Sequence, residues 1–106
     1  EQGNLPAGFF RGTSFLLLGK FKEALNDFSA LCEFDITDFD AAIGLSMTYY
    51  RLNDLENAKK NFTKAKSIIS GSNPIKTNTI ELFKDSYWYQ KQFFVFSEFY
   101  NEINEL

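Results

Sequence analysis

The chain contains no histidine and a single cysteine, Cys32, among its 106 residues. Without an imidazole or a second thiol there is no Cys/His set to hold a metal, no internal disulfide, and no imidazole base to activate a serine or cysteine. A basic excess is also missing. Eleven Lys and Arg against fourteen Asp and Glu leave a net charge of −3, and the cations are spread along the chain, so nothing marks a footprint for a phosphate backbone and nucleic acid is not the expected partner. The longest apolar stretches, "FLLLG" and "FFVF", fall far short of the roughly 20 residues of a transmembrane helix. A lone free cysteine favours a reducing compartment, so a cytoplasmic location is favoured. The sequence starts at Glu1 rather than at methionine, which leaves a removed signal peptide or missing flanks open.

Aromatic residues are plentiful: thirteen Phe, five Tyr and one Trp. That is more ring surface than a small core usually holds, and it points to a second packing surface. The rings follow a pattern. Phe15 and Tyr49, Ala24 and Ala58, and Phe28 and Phe62 are each separated by 34 positions, the self-similarity expected of a helix-turn-helix unit stacked on its neighbour. Within each unit the periodicity is helical. Phe21, Ala24, Leu25, Phe28, Leu31 and Cys32 recur at spacings of three and four, as do Leu55, Ala58, Phe62, Ala65 and Ile69, which puts each set on one stripe. Asn53 with Glu56 reads as a capping box, and Thr37 with Asp40 as the cap of the preceding helix.

These residues resemble the tetratricopeptide repeat, whose pattern is W-x2-L-G-x2-Y…A-x3-F…P. The first unit reads Gly8-x2-Arg11-Gly12-x2-Phe15 and then Ala24-x3-Phe28; the second reads Ala42-x2-Leu45-Ser46-x2-Tyr49 and then Ala58-x3-Phe62. Gly12, Ser46, Ala24 and Ala58 supply the small side chains that close helix approach needs. The tryptophan and the closing proline are missing, with Ile36 and Ser70 in the proline's place. A degenerate third unit through Tyr87, Phe93, Phe96, Tyr100 and Ile103 follows at an offset of 38, after a loop at "SGSN" and a helix opened by Pro74. The resemblance implies an all-α fold, a single domain of repeats at about 5–38, 39–72 and 77–106 stacked as a short right-handed solenoid and forming a fragment of a longer protein. The corresponding helices are expected at 5–18, 21–34, 39–52, 55–69, 74–89 and 92–105.

It also implies a protein or peptide partner. In such arrays the first helix of each pair lines a concave groove, which here would carry Phe9, Thr13, Leu16, Leu17, Ile43, Met47, Tyr50 and Arg51, with Asp40 beside them. Some family members clamp a chaperone's C-terminal carboxylate with basic residues. The matching positions, Phe9, Thr13, Gly44, Asn78 and Leu82, are not basic, so that activity does not carry over. The expected function is a scaffold or adaptor, chaperone-like in taking an apolar peptide or helix in the groove. The alternative is a structural or self-association module, a homodimer or part of a longer array, formed through Trp88, Tyr89 and Phe94 in the ring-rich C-terminal stretch. The apolar residues could equally pack against missing neighbouring repeats or the chain's own C-terminal helix.

No enzyme is expected, and neither catalytic residues, a cofactor nor a metal site is assigned. "DITDFD" lacks the glycine and distal glutamate of a calcium loop and reads as an inter-helix turn. Asn61-Phe62-Thr63 places a glycosylation triplet inside a helix at a core position. Cys32 reads as an inert small hydrophobe, and Lys59, Lys60, Lys64 and Lys66 as a solvated face.

Overall fold

The computed structural model describes residues 6–71 and 80–105. They form an all-α structure with no strand among the described residues: α1 Ala7–Leu17, α2 Phe21–Phe34, α3 Phe39–Arg51, α4 Leu55–Ser70, α5 Tyr87–Lys91 and α6 Phe93–Ile103, with one 3-10 turn at Ile80–Phe83. No helix of these residues is long and apolar enough to cross a membrane.

The apolar stripes turn inward as their spacing requires. Ala24, Phe28 and Cys32 of α2 and Ala58, Phe62 and Ala65 of α4 are buried. A Cβ added at Gly8 would meet Leu31, and one at Gly12 would meet Asp27 and Phe28, so α1 and α2 run antiparallel. At Gly12 that Cβ would lie 3.1 Å from the Asp27 side chain, and the absence of a side chain there lets the helices close. Arg11 bridges the same pair, its guanidinium donating to both Asp27 oxygens at 2.7 and 2.9 Å. Between α3 and α4 the Ser46 hydroxyl donates to the Ala58 carbonyl at 2.5 Å.

The 34-residue period recurs in the turns. Gly19 and Asn53, 34 positions apart, both take positive φ, at 83° and 63°. The amides that follow reach back five residues, Lys20 to the Phe15 carbonyl at 2.8 Å and Asp54 to the Tyr49 carbonyl at 2.9 Å. This is the six-to-one bond of a Schellman motif. Asn53 is therefore a C-terminal turn residue of α3 and not the cap of α4. Asp54 caps α4 by accepting from the Asn57 amide, and Asp38, rather than Thr37 or Asp40, caps α3 by accepting from the Ala41 amide at 3.0 Å. A short acid one residue closer to the helix takes the bond in both cases.

Residues 74–79 of the expected fifth helix lie outside the described residues. From 80 onward that helix is not continuous: the 3-10 turn gives way to a bend, and α5 begins only at Tyr87. The physical reason is the anchoring of the segment on α3. The Tyr87 amide donates to Asp40 Oδ1 at 2.8 Å instead of to a carbonyl one turn back, and Ser86 caps α5 by accepting from the Tyr89 amide. Helix α6 then packs on α3 and α4, and α5 on α3. Helix α3 is thereby enclosed, with every residue from Asp40 to Thr48 buried.

Candidate functional site

The side of α1 and α3 expected to line a groove is mostly covered by the chain's own C-terminal segment. Trp88 is 0% exposed, and its indole Nε1–H donates to the Asp40 carbonyl at 2.9 Å. Its ring meets Phe9 at 5.7 Å and Phe28 at 6.1 Å, while Tyr87 meets Phe9 edge-on at 5.1 Å. Phe28 in turn lies against the backbone of α3, where a Cβ at Gly44 would fall 2.6 Å from its ring. Phe9, Thr13 and Ile43 are accordingly buried. Thr13 spends its hydroxyl inside its own helix, donating to the Phe9 carbonyl at 2.8 Å.

Part of this side remains open. A cavity of about 400 Å³ is lined by Leu16, Leu17, Met47, Tyr50 and Arg51 from the expected set, and by Val95, Glu98 and Phe99 of α6. Leu16 and Met47 form its buried floor and Leu17, 48% exposed, its lip. Tyr50 is half-buried, packs on Phe99 with ring centres 5.5 Å apart, and donates its hydroxyl to Glu102. That hydrogen bond, then burial and the charges of Glu102 and Glu98, push the phenol up to about 12, so it stays a donor. Arg51 is exposed, with its guanidinium carbon 5.0 Å from the Phe21 ring centre. The three α6 residues could have been found by asking which side of α6 would cover α3. Reading only the stripe of Phe93, Phe96, Tyr100 and Ile103 hid them. Phe93 is in fact 39% exposed, while Phe99 is 2% exposed.

The C-terminal ring set does not come together as one patch. Trp88 is in the core, Tyr89 is half-buried against Phe93 at 5.0 Å, and Phe94 is 87% exposed. Trp88 is drawn inward by its hydrogen bond to α3.

The acids of "DITDFD" have separate tasks. Asp35 accepts from the Thr37 hydroxyl and amide, which hold its carboxyl below the usual range. Asp38 caps α3, and Asp40 anchors α5. Burial pushes the Asp40 carboxyl up to about 6 against the opposing pull of the Tyr87 amide. Among the described residues no group of three or more His, Cys, Asp or Glu could hold a metal ion. Burial pushes the Cys32 thiol up to about 11, which leaves it a poor nucleophile. Compared with known protein families, with curated proteins and with solved structures, the chain matches none.

Proposed function

We propose that the chain is a protein-interaction module of tetratricopeptide type, which holds an apolar element of a partner polypeptide in the open end of its concave groove. The observation that carries this reading is the 400 Å³ cavity between α1, α3 and α6. Its size falls in the roughly 300–1,000 Å³ range of binding pockets, and its apolar floor meets polar groups at the rim. The 34-residue recurrence of Gly19 and Asn53 in the turns supports the repeat relationship. The site is narrower than a full groove, because the C-terminal helices cover Phe9, Thr13 and Ile43.

Selection of displayed random peptides on the immobilised chain tests the reading. Peptides should be enriched whose binding is lost in Leu17→Trp, which fills the lip of the cavity from an exposed position, while circular dichroism matches the parent. Enriched peptides that bind both proteins equally would remove the cavity from the account.

A second reading, self-association through the C-terminal surface, is favoured by Phe94 alone, with its exposed ring 6.3 Å from that of Phe93. Sedimentation across concentration separates the two: a dimer that Phe94→Asp dissociates supports the second reading, and a parent monomeric at high concentration ends it.

A further inference from the structure

The cavity is lined by one cation, Arg51, and one anion, Glu98, and neither forms an ion pair among the described residues. Arg51 ends α3. Its guanidinium is settled over the Phe21 ring by a cation–π contact, yet no carboxylate of the described residues lies within ion-pair distance of it. Glu98, on α6, lines the same cavity, and no cation of the described residues pairs with it either. Its neighbour one turn on, Glu102, is already engaged by the Tyr50 hydroxyl. Glu98 and Arg51 line the same cavity without forming an ion pair with each other. The same cavity is lined by the apolar side chains of Leu16, Met47, Val95 and Phe99. A ligand that only filled the apolar floor would leave both charges unmatched, and one with a single charge would match one of them and oppose the other.

We propose that the cavity takes a large aliphatic side chain of a partner polypeptide whose flanking residues place an acid toward Arg51 and a base toward Glu98. The proposal rests on the interaction-module reading and specifies the chemistry of its ligand. Complementary charge at the rim fixes the direction in which the segment crosses the groove, and burial of the aliphatic side chain supplies the affinity.

The test uses the peptides selected on the intact chain, made with blocked termini so that terminal charges play no part. The enriched sequences should share a large aliphatic residue between an acid and a base. Arg51→Glu or Glu98→Lys should each weaken their binding by about tenfold, since inversion turns attraction into repulsion at an exposed position. Exchanging the matching charge in the peptide should restore binding. Both substitutions are at exposed residues, and circular dichroism verifies the fold. Peptides that require the open cavity, being lost in Leu17→Trp, but that ignore both inversions would overturn this charge assignment and leave the module reading standing. Absence of any cavity-dependent peptide would overturn both.

Discussion

Asp40 shows how one residue joins distant parts of the chain. Its carboxyl receives the Tyr87 amide and its carbonyl receives the Trp88 indole, across 47 and 48 positions of sequence. Burial raises its folded pKa to about 6, above an unfolded value of about 3.9. The folded state therefore binds the proton more tightly. The stability from this group is fully present below about pH 4 and is lost as pH rises through about 6. Asp40→Asn keeps an oxygen acceptor for Tyr87 and does not titrate. Its stability should match the parent near pH 3.5 and exceed it at pH 8 by at most about 3 kcal/mol, measured by chemical denaturation at both pH values. A gap independent of pH would contradict the burial argument. The position of Asp40 on the inner side of α3 follows from the repeat spacing. Its partners do not, because no local pattern links a residue in the first turn of α3 to an amide 47 positions later. Phe9 and Ile43 were legible as inward-facing for the same reason, and the aromatic cover over them was not.

The elements of the first two hairpins were the most legible. Helix α2 spans Phe21–Phe34 as the periodicity predicts, and the bounds of α1, α3 and α4 depart from expectation by a residue or two, because a strong apolar stripe fixes a helix better than its ends. The caps were misplaced because adjacent Asn, Asp and Thr residues compete for the same amide bond, and geometry alone selects among them. Asn53 is the clearest case, with its φ of 63° in the left-handed region. Glycine adopts that conformation without cost and alanine does not. Asn53→Gly should leave the melting temperature near the parent's, whereas Asn53→Ala should cost about 1 kcal/mol. A thermal melt in which alanine is as stable as glycine would contradict the turn assignment. The break between the 3-10 turn and α5 was not legible, since the aromatic spacing around Tyr87 fits a continuous helix until Asp40 claims its amide.

At the scale of the molecule, two helical hairpins pack side by side and the C-terminal segment covers most of the face that α1 and α3 share. Of the eight residues assigned to the groove from sequence, Leu16, Leu17, Met47, Tyr50 and Arg51 do line an opening. Phe9, Thr13 and Ile43 are sealed, and the remaining lining, with Val95, Glu98 and Phe99, comes from a helix whose docking the repeat pattern did not specify. The cavity and its divided charge exist only because α6 lies where it does, so the functional account depends on that docking. Trp88 is the single tryptophan of the chain and sits at the seam, which makes its fluorescence a direct readout of whether the segment is in place. With the indole fully buried between Phe9 and Phe28, the native protein should emit well to the blue of the denatured chain and resist quenching by acrylamide, with both properties lost together in one unfolding transition. Native emission at the wavelength of the denatured chain, with the indole freely quenched, would contradict the closed groove and the cavity that depends on it.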